Sequence, residues 1–176
     1  MRLSKTLAAG AVALSALVTL TGCGDDGGEA ASGPLSNLPK ASTMADVQKA
    51  VVERGVSCDQ LRKSSQENDY MEDEAKDPAW GIQERALCQD GAGRWVTMLL
   101  IGDMAKFQGA LAKGSGSFSV GQNFAISAVS DYAGQSLVQN GLLVLSCNPD
   151  RREKVPSGFE IHEGLVKGCF TTNYDL

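Results

Sequence analysis

Five cysteines are the residues of this chain best suited to do chemistry: Cys23, Cys58, Cys88, Cys147 and Cys169. A thiol can attack a substrate or exchange electrons, but a redox dithiol is typically a CxxC pair with a lowered pKa. The chain contains no CxxC sequence. Four of the cysteines make an even set that can oxidise to two structural disulfides in an oxidising compartment, which leaves one cysteine for a different use.

The sequence around Cys23 indicates that this is the odd cysteine. An uncharged apolar stretch, residues 7–20, follows two basic residues and is shorter than the roughly 20 apolar residues of a membrane span. It runs into LTGC (residues 20–23), which resembles the lipobox of bacterial lipoprotein signals. We therefore predict that residues 1–22 are a signal peptide and that Cys23 becomes a lipid-modified N-terminus, held by its acyl chains. The alternative is an ordinary secretory signal that leaves Cys23 to pair in a disulfide.

These features predict a location on the outer face of the cell membrane, with the membrane as a partner through the N-terminal lipid. Removing two basic residues with the signal peptide leaves 14 of the 16 Lys and Arg against all 21 Asp and Glu, a net charge of −7. An acidic body gains nothing from an anionic membrane surface, so the acyl chains must supply the attachment. The same charge argues against nucleic acid, whose phosphates bind clustered Lys and Arg.

The residues after the signal peptide divide into a tether and a domain. Residues 24–41 (GDDGGEAASGPLSNLPKA) are rich in Gly, Ser, Pro and acid, so that residues 23–41 are predicted to be a lipidated N-terminus and flexible tether. A coil of this length has a root-mean-square reach of roughly 20–25 Å. Residues 42–176 then have the length of one extracytoplasmic domain.

Local patterns predict the elements of that domain. Thr43 and Asp46 are placed for a capping box before a helix that ends near Gly55, and a turn at residues 90–93 joins two strands into a β-hairpin. A short helical turn is expected near Leu61. The other elements are predicted to be a loop over 64–78, a helix over 103–113, a strand over 118–126 with an irregularity at Gly121, a helix capped by Asp131, and strands over 142–147 and 164–172.

This order of elements predicts an α+β fold: a single two-layer domain with a mixed β-sheet, helices on one face and two disulfides. The unit from strand 94–101 through helix 103–113 to strand 118–126 is expected to be a right-handed crossover between parallel strands. Four cysteines allow three pairings, and pairing neighbours in sequence predicts Cys58–Cys88 and Cys147–Cys169. Each disulfide would contribute about 3–4 kcal/mol on the chain-entropy model.

Three segments resemble a pattern found in small secreted lipoproteins of actinobacteria. They are GVSC (residues 55–58), Cys88 with its hairpin, and VGQNFAIS (residues 120–127). The resemblance implies a compact α+β lipoprotein domain with a Cys58–Cys88 disulfide, and it carries over no activity and no site residue. The second cysteine pair and the acidic loop at residues 67–77 are additions to that pattern.

The remaining candidate residues favour structural roles. His162 is the one histidine and the chain has no G-x-S-x-G or S-x-x-K sequence, so we expect a surface histidine rather than a catalytic one. Six acids crowd residues 67–77 without the Gly of an EF-hand loop, which predicts a solvated acidic loop, with weak cation binding as the alternative. Trp80 and Trp95 lie on the two hairpin strands, where they either pack in the core or form an aromatic platform for a ligand.

The absence of a catalytic motif sets the functional expectation. We expect that the protein is not an enzyme and that it binds no cofactor and no metal. We expect instead a non-catalytic module of the cell envelope that binds a protein, a peptide or a small ligand. One alternative is an envelope hydrolase that uses carboxylates, which a deep pocket with two facing acids would support. Another is a small solute-binding lipoprotein, although one domain leaves little room for two lobes around a cleft.

Overall fold

The structure of the chain is a computed structural model that describes residues 33–65, 68–114 and 116–176. The predicted signal peptide, Cys23 and the first part of the predicted tether lie outside these residues, as does Glu67 of the acidic loop. Within the described ranges, no helix is both long enough and apolar enough to cross a membrane.

The described residues form an α+β fold, as predicted. The strands are β1 (Ile82–Gln89), β2 (Trp95–Ile101), β3 (Ser117–Val120), β4 (Phe124–Ala128), β5 (Leu143–Ser146), β6 (Ile161–Glu163) and β7 (Phe170–Thr172). They make one sheet in the order β1-β2-β4-β3-β5-β7-β6. The helices are α1 (Met44–Val52), α2 (Glu72–Lys76), α3 (Met104–Leu111), α4 (Asp131–Gln139) and α5 (Pro149–Arg152), with 3-10 turns at Pro34–Asn37 and Pro78–Trp80.

All neighbouring strands are antiparallel, so the predicted mixed sheet and parallel crossover are wrong. The predicted strand over 118–126 is two strands, β3 and β4, joined by a turn at residues 121–123, and β4 rather than β3 pairs with β2. Gly121 makes the reversal possible. A Cβ there would lie 2.2 Å from the Phe124 ring and 2.6 Å from the Pro39 carbonyl oxygen.

Both faces of the sheet are covered. In β2, Met98 and Leu100 belong to a core with α1 and α4, whereas Leu99 and Ile101 belong to a second core with α3. We call these the α1 face and the α3 face. The predicted arrangement with helices on one face is therefore wrong. The sequence of β2, WVTMLLI, is consistent with this finding, because a strand buried on both sides is apolar along most of its length.

Helix α1 begins as predicted. Thr43 Oγ1 accepts a hydrogen bond from the Asp46 N–H at 3.2 Å, and the Asp46 carboxylate accepts one from the Thr43 N–H at 2.9 Å. Hydrogen bonds donated by Ser42 and Thr43 hold the pKa of Asp46 below its ordinary value. Gly55, with φ of +80°, turns the chain away after the helix, which is the conformation that favours glycine.

The last part of the predicted tether is packed on the domain. Leu35 is buried on the α3 face and Ala41 on the α1 face, so the segment between them wraps around one end of the sheet. The turn at 121–123 holds it there: Gln122 Nε2 donates to the Ser36 and Leu38 carbonyls, at 2.7 Å each. The domain therefore starts near residue 34, earlier than the predicted boundary at residue 42. We call this end of the sheet the docked end, and the opposite end the far end.

Four smaller expectations also need correction. No helical turn forms near Leu61, because the backbone of Arg62 exchanges hydrogen bonds with Leu87 at the open edge of β1. The predicted loop over 64–78 contains α2. Ser130, not Asp131, caps α4. The predicted strand over 164–172 is only β7, which pairs with an additional strand, β6.

Candidate functional site

The four cysteines of the domain are joined as the two predicted disulfides. Cys58–Cys88 ties the segment after α1 to β1, and Cys147–Cys169 ties the end of β5 to the start of β7. Both sulfurs of the second pair lie 3.6 Å from the carbonyl oxygen of Gln108 on α3. The four residues are at most 9 % exposed, so these disulfides are parts of the core. The predicted lipidation residue, Cys23, lies outside the described residues.

The other predicted candidates do not come together. His162 Nε2 lies 3.2 Å from Glu160 Oε2 on a partly exposed stretch. This contact pairs the imidazole with a carboxylate and not with a hydroxyl or thiol that it could activate as a nucleophile. In α2, Lys76 forms ion pairs with Glu72 at 3.0 Å and with Asp73 at 3.3 Å. Nowhere in the described ranges do three His, Cys, Asp or Glu side chains gather in a way that could hold a metal ion.

The two tryptophans lie at opposite ends of the hairpin, so they form no common platform. Trp80 precedes β1 at the docked end, where its ring meets the Phe107 ring edge-on, with 6.1 Å between centroids. Trp95 begins β2 at the far end, where the Arg62 guanidinium lies 5.7 Å from the ring centroid. Both rings are half-buried: Trp80 packs against the core of the α3 face, whereas Trp95 lies beneath a cation.

Three clefts of the described residues lie at the far end. One, of about 450 Å³, lies between residues 57–62 and the turn of the β1–β2 hairpin. A second, of about 580 Å³, lies between residues 148–154 and 174–176. A third, of about 310 Å³, lies on the α1 face between α4 and residues 175–176. We call this third cleft the serine groove, because Ser117, Ser119, Ser127 and Ser130 all line it.

The serine groove has a floor of strands and two acidic walls. Ser119 of β3, Ile126 of β4 and Val144 of β5 form the floor; these three residues are directly opposed in the sheet and so share one face. Asp131 comes from the first turn of α4, and Asp175 from the segment after β7. The antiparallel order β4-β3-β5 is what brings these distant parts of the chain to one groove.

The carboxylate of Asp175 is in an unfavourable environment. Partial burial raises its pKa above the ordinary value, and the nearby charge of Asp131 raises it further. In the described part of the chain, neither carboxylate forms an ion pair or a hydrogen bond. A titratable group with a perturbed pKa in a cleft is a candidate functional residue, because binding and catalytic sites often hold charges that the fold alone does not compensate.

The floor of the groove also holds an unused hydroxyl. Ser119 is only 8 % exposed, yet its Oγ forms no hydrogen bond with any described residue. The other hydroxyls are engaged: Ser117 Oγ accepts from Arg151 at 3.0 Å, Ser130 Oγ caps α4, and Ser127 bonds with Tyr70. Ser119 Oγ is not one of the side-chain atoms that are sealed from solvent without a partner, so it opens onto the groove, where a ligand can form a hydrogen bond with it.

The neighbouring 580 Å³ cleft is lined by side chains of both charges. Arg151, Lys154, Asp150 and Asp175 all line it, and Asp175 and Leu176 also line the serine groove. The Arg151 guanidinium donates to Ser117 Oγ and to the Leu176 carbonyl, both of which belong to the serine groove, and among the described residues it forms no ion pair with Asp131 or Asp175. Residues 175–176 therefore separate an acidic groove from a cleft of mixed charge.

Sequence reasoning missed the serine groove, although one signal was present. In SFSV, the sequence of β3, serines alternate with buried apolar residues. A central strand with polar residues on one side indicates that its sheet face is not fully covered at that point. The two acids carried no such signal, because any of 21 acidic residues could have been paired by chance.

In comparisons with known proteins, no protein-family model, no curated protein and no solved structure matches the chain.

Proposed function

We propose that this protein is a lipid-anchored, non-catalytic binding module on the outer face of the cell membrane, with its binding surface at the far end of the sheet. The LTGC sequence at residues 20–23 supports the anchor. The observation that carries the proposal is the docking of residues 34–41 at one end of the sheet while three clefts lie at the other. The resemblance to small secreted actinobacterial lipoproteins is part of the same proposal.

The docked segment makes the tether shorter than the sequence pattern predicts. Only residues 24–33 separate Cys23 from the packed residues, and a flexible coil of that length has a root-mean-square reach of roughly 16–19 Å. The chain leaves the domain at the docked end, so this end stays close to the bilayer. The far end is then the part that is most accessible to molecules outside the membrane.

The far end also carries the most exposed apolar side chains among the described residues. Val129 and Tyr132, at the start of α4, are 68 % and 72 % exposed. The Val129 N–H donates to the Trp95 carbonyl, which places this pair beside the Arg62–Trp95 contact. Exposed tyrosine beside tryptophan and arginine is a composition enriched at protein interfaces, so this part of the far end suits a protein partner.

Metabolic labelling tests the anchor. The full chain, expressed in a bacterium that processes lipoproteins and fed an alkyne-bearing palmitate, should take up the label and sediment with membranes. C23A should lose the label and become soluble, whereas T21A keeps a small residue before the cysteine and should behave as the unaltered protein. An unlabelled wild-type chain, or a label that persists in C23A, would overturn the anchored location.

Site-directed photo-crosslinking tests the binding surface. A benzoylphenylalanine at Tyr132, at the far end, should form adducts with other envelope molecules in intact cells. The same group at Asn37, an exposed residue of the docked end, serves as the control and should form few. Equal adducts at both positions would contradict a binding surface at the far end.

A second candidate function is an envelope hydrolase that uses Asp131 and Asp175. It is favoured by the raised pKa of Asp175 beside a second carboxylate, an arrangement that can provide an acid and a base in one site. Purified wild-type chain should then hydrolyse some member of a panel of nitrophenyl glycosides and esters, and D175N should abolish that activity while leaving the fold intact. No hydrolysis of any substrate, or equal hydrolysis by D175N, would rule out a hydrolase that acts on the glycosides and esters of this panel through Asp175.

A further inference from the structure

The serine groove contains hydrogen-bond acceptors that the described fold leaves without donors. The Asp131 and Asp175 carboxylates have no cationic partner there, and Ser119 Oγ has no hydrogen-bond partner at the floor between them. Arg151 donates to two residues of the groove lining, at Ser117 Oγ and the Leu176 carbonyl, but forms no ion pair with either acid among the described residues. The groove therefore matches a ligand that brings positive charge and several donors.

We infer that the serine groove binds a small molecule with a primary ammonium group, which the carboxylates of Asp131 and Asp175 would hold while Ser119 Oγ bonds a second polar group of the ligand. This inference rests on the proposed function, because it takes the far end as a binding surface and names a ligand for it. An ammonium group has three donors and one positive charge. It would thus compensate the charge of two carboxylates that line one groove and repel each other in the free protein.

Other ligand classes match the groove less well. Ca²⁺ takes six to eight oxygen ligands, of which two carboxylates supply too few, and Mg²⁺ demands a near-octahedral set. An anion would meet two carboxylates at the walls. A neutral sugar would find hydrogen bonds but would leave the repulsion between Asp131 and Asp175 in place. The volume of about 310 Å³ suits a ligand of roughly the size of one sugar or one amino acid.

The raised pKa of Asp175 is consistent with this ligand. Burial and the charge of Asp131 both disfavour its ionised form in the free protein. A bound ammonium ion would favour the ionised form, since an opposite charge within about 4–6 Å stabilises a carboxylate. Binding should therefore be accompanied by loss of a proton from Asp175 whenever that group is protonated beforehand.

The test compares amines with matched ligands that lack the amine. The full chain, purified from whichever cell fraction holds it, is titrated with D-glucosamine and D-glucose, and binding is followed by saturation-transfer NMR on the ligand. Nα-acetyl-lysine amide and Nα-acetyl-norleucine amide make a second pair, which distinguishes a free small amine from a lysine side chain. We expect saturation transfer to one or both amines and none to glucose or the norleucine compound.

Variants locate the binding. D131N/D175N should weaken amine binding by about tenfold or more, and S119A by a smaller factor, because a lost charge pair costs more than a lost neutral hydrogen bond. E84Q changes an exposed acid of β1 that lines none of these clefts, and it should leave binding unchanged. Thermal unfolding should show that all three variants are folded.

The outcomes separate this inference from the proposed function. Equal binding of glucose and glucosamine, no binding of either amine, or an equal loss in E84Q would overturn the ammonium site. None of these results affects palmitate labelling of Cys23 or the crosslinks from Tyr132. Conversely, an unlabelled Cys23 would overturn the anchor while amine binding at Asp131 and Asp175 could still be measured.

Discussion

Asn123 pairs with both backbone polar groups of Ala41: its Nδ2 donates to the Ala41 carbonyl at 2.7 Å, and its Oδ1 accepts from the Ala41 N–H at 2.9 Å. A side-chain amide here replaces the pairing that a neighbouring strand would supply. Replacing Asn123 by Ala leaves both groups of a buried residue without partners. We expect N123A to lower the free energy of unfolding by about 1–3 kcal/mol and to release residues 34–41.

Limited proteolysis and hydrogen exchange are suitable measurements for N123A. Cleavage should appear within residues 34–41 while the sheet stays protected. Q139A, an exposed change at the end of α4, is the control and should alter neither readout. Unchanged protection of residues 34–41 in N123A would show that Asn123 is not what holds the segment.

Gly121 offers a second test of the same docking, by steric rather than polar means. A Cβ at Gly121 would lie 2.2 Å from the buried Phe124 ring and 2.6 Å from the Pro39 carbonyl oxygen, so both must move in G121A. A Cβ at Gly109 in α3 would meet no atom within 4 Å, which makes G109A the matched control. We expect G121A to destabilise the domain by about 1–3 kcal/mol and G109A to stabilise it by up to about 1 kcal/mol, as measured by urea unfolding. An equal effect of the two changes would contradict the steric argument.

The parts of the fold that local chemistry determines could be predicted from the sequence. The α1 capping box depends on residues three positions apart, and the β1–β2 turn on the Asp90–Gly93 run, so both were confirmed. The pairing of cysteines that are neighbours in the sequence was also confirmed, and the two disulfides span 30 and 22 residues.

The parts that tertiary packing determines could not be predicted. A lone Gly121 within a strand pattern is compatible with a bulge or a turn, and only the position of the Phe124 ring and of residue 39 decides for the turn. The serine groove forms only because the chain brings Asp175 back beside α4, 44 positions after Asp131. No local sequence pattern predicts that contact. The docking of residues 34–41 was missed because Gly and Pro content predicts flexibility, whereas Gln122 and Asn123 supply the missing partners from far along the chain.

Arg85 holds the segment before α2 onto the α3 face. It is 8 % exposed, and its guanidinium donates to the carbonyls of Tyr70 at 2.8 Å, Asn68 at 3.1 Å and Lys63 at 3.3 Å. Burial lowers the pKa of Arg85, while the carboxylates of Glu72, Asp69 and Glu74 oppose that effect. No other side chain combines this reach with a fixed fork of donors, so lysine should not replace it.

We expect R85L to lower the free energy of unfolding by about 2–4 kcal/mol, because three carbonyls lose a charged donor. R85K should recover only part of that loss. R94L removes an exposed arginine in the adjacent turn and is the control, with an expected change near zero. Chemical denaturation measures the energies, and hydrogen exchange over residues 63–70 shows whether that segment is released. Full recovery by R85K would show that charge alone, without the fork geometry, is sufficient.

The two disulfides should each contribute to stability independently of any redox function. Replacing a pair by two serines removes one loop constraint from the unfolded chain, which costs about 3–4 kcal/mol for loops of this length. We expect C58S/C88S and C147S/C169S each to lower the melting temperature. The second pair should also loosen α3, because both of its sulfurs contact the Gln108 carbonyl. Differential scanning calorimetry of the two double variants measures the loss, and a melting temperature equal to wild type would contradict the structural role.

The stability of the domain should depend on pH through Asp175. Its pKa is raised in the folded state, by burial first and by Asp131 second, so the folded protein binds its proton more tightly than the unfolded chain does. The stabilisation from this group is therefore complete below its unfolded pKa and is lost as the pH rises through its folded pKa. D175N removes the dependence and should be more stable than wild type at neutral pH. D131N should lower the pKa of Asp175 only in part, because burial remains.

Carboxyl NMR titration measures the pKa of Asp175, and urea unfolding across that pH range measures the stability, with D59N as the control. A wild-type chain that is more stable than D175N at neutral pH would show that the Asp175 charge has a favourable partner after all.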